Sequence, residues 1–593
     1  MSVDTALAGS ASVDRPVPGG PGGRYASDVV VDLLRALGVR YLPMTPGSSF
    51  RGLHDSVVNH GGNADPQLLL CLHEEIAVAL AHGWAKAARA VGVAVVHDLV
   101  GLMHATMAVY DAYCDRAPVL VLGGSGPADP ASRRPVDWTH SAATQAQLVR
   151  DYVVADAEPP TAAATVTEVL RAFRRAAGVP AGPAYVSLDA GVQESIVDDS
   201  VAVPDLAGHA PAPPPVPDPA AVAAAARLCA RAADPVLIGG RLGWDPAATP
   251  VLVELAELLG AGYCDDRNVV SFPTAHPLNR TGDPDLLAAA DLVIAIDVAD
   301  IGGLLRGRGR SRNGSGPVRT PTVVDVSLGD LGRRSWSQVG GTPIGRAAQL
   351  LGDPLAGAGA LLAALGPLVD RAAAAGRAER VAAAGVARRA LDGARLARRW
   401  DDRPIAPARL VAETWRAVAG VPHLLCVRNT RSWPTGVWQF DGAGGYLGDS
   451  GGGGVGYGPG ALVGGALAAR DSGRLGVGIL GDGDLLMAPS ALWTAVHHRI
   501  PALVVVNDNG SLYNDEAHQA EVAADRGRPV ANRGIGVRVD DPAVDIAALA
   551  RAYGCWAAGP ITDPDGLGPA LAEGVARARA GEVAVVHVRT APE

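Results

Sequence analysis

Two short loops near the end of the chain carry the residue types that hold a hard cation. An apolar run over residues 474–480 ends in Gly481-Asp482-Gly483. A helical pattern over 490–498 follows. Pro501 then introduces a second apolar run, 502–506, which ends in Asn507-Asp508-Asn509-Gly510-Ser511. Asp482 and Asn509 therefore each fall just past the C-terminal end of a strand, the edge at which an open α/β sheet binds its ligands. A carboxylate and an amide oxygen on neighbouring loops suit Mg²⁺, which keeps phosphate oxygens and water in its octahedron. Gly481 and Gly483 let phosphates approach the backbone.

A second set of polar residues lies near the start. The segment LCLHEEIAVALAHGWAKA, residues 70–87, places Glu74 and Glu75 between a buried strand over 68–72 and a helix over 74–90. Both acids suit the positive end of a helix dipole. His97 closes the strand VAVVH, and Ser48 sits in the turn TPGSS after a strand over 39–44. A histidine at a strand end facing a cleft is an acid–base candidate. His104, in GLMHATM, reads as a residue on a helix face. A glycine loop over 451–462, GGGGVGYGPGAL, carries one bulky apolar residue, Val455.

The elements that position these residues alternate helical patterns with short β-rich runs, which implies parallel sheets covered by helices. A first helix over 25–37 stops at Gly38, and further strands fall over 91–97 and 118–123. The proline-rich run HAPAPPPVPDP, residues 209–219, reads as a linker. The next block has strands over 236–239, 292–297 and 322–326. Its IGGRLG is a poor match to a dinucleotide fingerprint and reads as a plain turn. An Ala/Arg-rich stretch over 371–399 reads as a solvated helix. The division is a disordered leader 1–23, a first domain 24–196, the linker 197–219, a central domain 220–368, a helical connector 369–403 and a last domain 404–593. The fold class is α/β with three doubly wound parallel-sheet domains.

At 593 residues the chain exceeds one core, and about 100–200 residues per domain fits three or four. The net charge of −10 and the absence of a basic run argue against a nucleic-acid partner. Lys86 is the only lysine, and the abundant arginine reflects coding bias. The six cysteines form no CxxC pair, so neither zinc nor a disulfide framework is indicated. The leader has no apolar core and no run reaches membrane-span length, which fits a cytoplasmic protein with no membrane partner.

The stretch GDGDLLMAPSALWTAVHHRIPALVVVNDNGSLY, residues 481–513, resembles the cofactor signature of the thiamine-diphosphate-dependent decarboxylase and carboligase superfamily, which includes acetolactate synthase. The resemblance implies a pyrimidine-binding domain, a central Rossmann-like domain and a diphosphate-binding domain. It implies that Asp482, the Asn509 side chain and the Ser511 carbonyl hold Mg²⁺, with Gly481 and Gly483 beside the diphosphate. Two residues depart from the usual pattern. Asp508 stands where the family has Asn, and is the alternative ligand. Asp484 follows the triplet where a small residue is usual; an acid there must face away or reach the metal through water.

The segment around Glu74 is similar to the family's glutamate segment. Counting back from Gly83-Trp84-Ala85 makes Glu74 the carboxylate at N1′ of the aminopyrimidine, which promotes the tautomer that removes the C2 proton. Val455 matches the residue under the bent cofactor. Ser48 and His97 resemble the serine and histidine of the benzoylformate-decarboxylase branch, which bind and protonate the substrate adduct. The second histidine of that branch has no counterpart in the central block. Tyr513, Asn514, Glu516 and His518 follow the metal loop without being placed by it.

The implied reaction takes a 2-oxo acid, releases CO₂ and either protonates the remainder or joins it to a second carbonyl compound. The implied assembly is a homodimer or homotetramer, with Glu74 and the metal loop from different subunits. One rival is a carbon–carbon lyase of the 2-hydroxyacyl-CoA or oxalyl-CoA type, disfavoured by the short stretch after the strand over 583–588. Another is a non-catalytic cofactor-binding homologue, disfavoured by the joint presence of Glu74 and the metal motif. FAD, structural in some relatives, stays open as a further cofactor, with no motif here in its support.

Overall fold

The computed structural model describes residues 14, 16, 23–266, 269–306, 320–329, 344–428, 433–448 and 451–592. Most of the leader lies outside the described residues. The chain forms two compact units, Met1–Ala81 with Ala90–Ala212 and His82–Arg89 with Pro213–Glu593. The division falls inside the proline-rich run.

The first unit is built on six strands: β1 (Tyr41–Met44), β2 (Gln67–Leu70), β3 (Gly92–Val96), β4 (Val119–Ser125), β5 (Ala155–Ala157) and β6 (Ala184–Asp189). They form one parallel sheet in the order β2-β1-β3-β4-β6-β5. Its inner strands are buried on both faces, which is why they read as continuous apolar runs. Helix Ala26–Ala36 packs Val29, Leu33 and Leu34 against Leu42, Val93 and Leu120. That helix ends because Gly38 takes the left-handed conformation (φ 77°) that a side chain resists. The chain passes from β1 to β2 on one side and to β3 on the other, so the crevice of this sheet opens at the C-terminal ends of β1 and β3.

The second unit contains two sheets. One comprises β7 (Pro235–Gly239), β8 (Gly262–Asp265), β9 (Leu292–Ile296), β10 (Thr322–Ser327) and β11 (Ala348–Leu351), ordered β11-β10-β9-β7-β8. Its switch point between β7 and β9 is closed by the chain itself. Arg241 donates to the Asp297 carboxylate at 3.1 Å, and a Cβ on Gly240 would lie 2.0 Å from the Asp297 carbonyl oxygen. The glycine of IGGRLG is therefore required by backbone approach. The Ala/Arg-rich stretch is a single helix, Arg371–Arg398, capped by Asp370 and mostly solvated.

The other sheet comprises β12 (His423–Val427), β13 (Leu475–Gly481), β14 (Ala502–Asp508), β15 (Trp556–Ile561) and β16 (Val583–Arg589), ordered β12-β13-β14-β16-β15. Val477, Ile479, Leu503, Val505 and Val586 fill its core. β13 and β14 are neighbours in register, with Gly481 opposite Asn507, so the loops that leave them are adjacent. The architecture is three parallel-sheet α/β domains. No helix among the described residues is long and apolar enough to cross a membrane.

Candidate active site

In the first unit, β2 hands the chain to helix Glu74–Ala88 through Cys71, Leu72 and His73. Glu74 opens that helix, and its side chain is 10% exposed. Its Oε2 accepts a hydrogen bond from His104 Nδ1 at 3.0 Å. His104, read from sequence as a helix-face residue, is thus turned toward Glu74, and its ring stacks on His73 with centroids 4.9 Å apart.

The crevice between β1 and β3 holds a second polar group. The His97 ring is so close to the turn after β1 that a Cβ on Gly47 would lie 2.4 Å from it. The hydroxyl that meets His97 is that of buried Ser49, with Oγ 2.8 Å from Nδ1; Ser48 is exposed. Ser49 Oγ also accepts the Asp98 N–H at 3.2 Å, which fixes the hydroxyl between the His97 ring and the start of the next helix. The His140 ring stands edge-on to His97 at 5.3 Å. Burial, then the charge of His140, lowers the His97 pKa. Asp98 is buried in a left-handed conformation (φ 39°), and burial pushes its carboxyl up to about 6. Such strain at a strand–helix junction persists only when surrounding contacts impose it. Ser49 and His140 carried no signal in the sequence that singled them out, because only the fold brings them to His97; Asp98 adjoins His97 in the chain, but its burial and left-handed backbone are set by the fold.

In the second unit, Asp482 follows β13 and is 3% exposed. Its Oδ2 accepts the Gly510 N–H at 3.0 Å. Gly510 has φ 69°, and a Cβ there would lie 2.9 Å from Asp540 Cβ, so the turn demands glycine. Asn509 Oδ1 accepts the Ser511 N–H at 3.0 Å, and Ser511 Oγ donates to Glu516 at 2.7 Å. Glu516 also receives Arg533, so this acid braces the loop. Asp508 is occupied: it accepts from His587 Nε2 at 2.6 Å, from Arg589 at 2.9 Å and from the Gly510 N–H at 3.0 Å.

The electrostatics follow from this packing. Burial, then the nearby charge of Asp508, pushes Asp482 up to about 7. Burial alone would raise Asp508, but His587 and Arg589 hold it below the usual range. Two buried acids side by side, one reluctant to ionise, make a site that a divalent cation relieves. Its oxygen-only donors fit Mg²⁺. A Cβ at Gly481 would meet nothing within 4 Å, so the backbone there is open to approach.

Asp484 turns away from this loop. Its Oδ1 accepts the Gly456 N–H at 2.7 Å, and a Cβ on Gly458 would lie 2.0 Å from its Oδ2. Burial pushes its carboxyl up to about 6. It ties the loop carrying Val455, which is half exposed, to the start of helix Asp482–Met487. In the same unit Gly83 packs so closely that a Cβ would lie 2.2 Å from the Ala461 carbonyl oxygen. That contact explains the glycine of Gly83-Trp84-Ala85.

Two family models match this chain: the thiamine pyrophosphate enzyme N-terminal TPP binding domain over residues 24–148, and the C-terminal TPP binding domain over 429–588. The chain belongs to the thiamine-diphosphate-dependent enzymes. The two matches span the segments that carry Glu74 and Asp482. A probable acetolactate synthase large subunit of Methanocaldococcus jannaschii is 24% identical over 508 residues, 82% of this chain and 80% of that protein. An acetolactate synthase large subunit of Lactococcus lactis is 37% identical over 98 residues, 16% of each chain. The fold matches a thiamine diphosphate-dependent 4-hydroxybenzoylformate decarboxylase of Rhodococcus jostii with TM-score 0.74 and 20% identity, covering 96% of this chain and 100% of that one. It matches a benzoylformate decarboxylase of Polynucleobacter necessarius with TM-score 0.74 and 20% identity, covering 96% and 99%. Acetolactate synthases and benzoylformate decarboxylases are thus among the proteins this chain is similar to.

Proposed function

We propose that this enzyme uses thiamine diphosphate and Mg²⁺ to act on a 2-oxo acid, releasing CO₂ and either protonating the remainder or joining it to a second carbonyl compound. The observation that carries the substrate class is the Ser49–His97–His140 group at the crevice of the first sheet. It sets an imidazole whose pKa is lowered by burial in the crevice where a 2-oxo acid would react.

Thiamine diphosphate supplies, when bound, an electron sink for the pair released as the C–C bond breaks. The chain does the rest. Asp482, Asn509 Oδ1 and the Ser511 carbonyl would hold Mg²⁺, which would offset the charge of the diphosphate. The Gly481 and Gly483 backbone gives the diphosphate room. Glu74 holds a proton at N1′ of the aminopyrimidine. Val455, half exposed, would lie against the bound cofactor. Ser48 presents its exposed hydroxyl to the substrate, and His97 moves a proton at the reacting carbon.

The assembly we propose is a homodimer or a homotetramer. Exposed apolar side chains support it. Leu72 and Met103 flank Glu74 and His104, and Val455 and Met487 flank the metal loop. Single exposed apolar residues are ordinary, but here they border the polar sites.

Two measurements test this reading. A panel of aliphatic and aromatic 2-oxo acids, with and without an aldehyde acceptor, should yield CO₂ from at least one member. Cofactor-loaded protein that releases none, yet cleaves an acyl-CoA, would move the enzyme to the lyase branch. For His97, replacement by Ala should lower turnover by about 10²–10⁴, the range for general acid–base catalysis, with cofactor affinity nearly unchanged. Because burial lowers its pKa, the neutral ring persists to more acid pH than in a free histidine. The acid limb of the wild-type kcat profile should therefore fall below pH about 6.5, and be absent in His97→Ala.

A further inference from the structure

We propose that His104 is a positioning residue for Glu74: it engages one carboxylate oxygen and leaves the other for the cofactor. The proposal rests on the reading that Glu74 serves N1′ of the aminopyrimidine.

The two oxygens of Glu74 have different surroundings. Oε2 is taken by His104 Nδ1 at 3.0 Å. Oε1 faces Gly101, where even a Cβ would come within 3.1 Å of it. Gly101 and His104 lie on the same helix, Asp98–Asp115, one turn apart. That helix therefore fills one side of the carboxylate with a donor and clears the other by omitting a side chain. A carboxylate only accepts, so the His104 nitrogen that meets it carries hydrogen.

The imidazole is itself held. His104 is 58% exposed, and an exposed side chain loses rotamer freedom when ordered. The His73 ring stacks on it, with planes 18° apart. His73 Nδ1 in turn accepts the Glu75 N–H at 3.2 Å, which fixes that ring to the start of helix Glu74–Ala88. Thus His73 anchors on the backbone, His104 lies on His73, and Glu74 is held by His104. The bond from the Glu75 N–H to His73 caps the helix, whereas the stacking of His104 and its bond to Glu74 do not. Together they select one orientation of a buried carboxylate.

The experiment uses the intact enzyme reconstituted with thiamine diphosphate and Mg²⁺. His104→Ala removes the donor. His104→Asn keeps an N–H donor on a short side chain but not the ring. His104→Ala should slow exchange of the cofactor C2 proton with deuterated solvent by about 10- to 100-fold, the range for a hydrogen bond to a charged group. Thiamine diphosphate affinity should stay within a few-fold, and His104→Asn should recover most of the rate. In cofactor-free protein, ¹⁵N-histidine spectra should show His104 protonated on Nδ1, the less common site in a free neutral imidazole. Wild-type exchange in His104→Ala, or a His104 with bare Nδ1, would overturn the proposal. So would a His104→Asn as slow as His104→Ala. Glu74→Gln, run alongside, separates the two levels. If it is inactive while His104→Ala is normal, only the His104 inference falls. If Glu74→Gln exchanges normally, the reading of Glu74 falls and takes the inference with it.

Discussion

Glu74→Gln will fold and bind thiamine diphosphate, yet exchange the cofactor C2 proton orders of magnitude more slowly than the wild type. The side chain is buried at the first position of its helix, so its shape matters to packing and its charge matters to chemistry. Gln keeps the shape. Its carbonyl oxygen can still accept from His104, so the hydrogen-bonded pair survives. What it loses is the proton that a carboxyl can give to N1′ and take back. The helix loses one acid from its first turn, a dipole interaction of about 0.3–1 kcal/mol, too little to unfold a domain with this core. The defect lies in activation of the cofactor, so every substrate should suffer alike. Glu75→Gln is the control. It removes the same charge from the next position, about 100° around the helix, and should be nearly silent. An inactive Glu75→Gln with an active Glu74→Gln would show the alignment of this segment to be shifted by one residue. NMR of C2–H exchange measures both.

The sequence carried the metal loop more clearly than the histidine pocket, and the reason is physical. β13 and β14 are apolar on both faces and each ends at a polar turn with glycine, so their ends can be read residue by residue. The partners of Asp508 could not be read that way. His587 and Arg589 lie far along the chain, on β16, and reach Asp508 only because β14 pairs with β16 in the register that sets Asp508 opposite Arg589. Until that pairing is known, Asp508 stands as the alternative to Asn509. Asp484 was legible as an anomaly, an acid where phosphate is expected. Its resolution, two N–H groups at the start of helix Tyr457–Asp471, depends on a loop folding back across the sheet.

The TPGSS turn was legible as a turn, not as a pair of distinguishable serines. Consecutive residues of its 3₁₀ turn, Ser48–Phe50, point in different directions, so one hydroxyl is exposed and the next is buried on His97. The short β5 and the half-buried β15, with Gly559-Pro560 inside it, lack the apolar runs that marked the central strands.

The largest loss of binding is expected at Asp482. Asp482→Asn should remove Mg²⁺-dependent binding of thiamine diphosphate, because the site loses the buried carboxylate that would hold the bridging cation. Calorimetric titration with and without Mg²⁺ reads this directly. A folding defect can be separated from a binding defect by pH. The folded-state pKa of Asp482 is raised to about 7, so in cofactor-free protein its ionisation opposes folding. That cost is absent below the unfolded value near 4, grows as pH rises through this window, and is complete above about 7. Asp482→Asn should therefore melt no lower than wild type without cofactor, and gain relative to it between pH 5 and about 8. Adding Mg²⁺ and thiamine diphosphate should then raise the melting temperature of wild type alone. Asp508→Asn should behave in the opposite way. It leaves His587 and Arg589 without their carboxylate, and breaking a buried ion pair costs about 3–5 kcal/mol. Its apoprotein should melt early, while any protein that folds still binds the cofactor through Asp482. If instead Asp508→Asn folded well and lost Mg²⁺, and Asp482→Asn kept it, the direct ligand would be Asp508 and the roles assigned to the two acids would exchange.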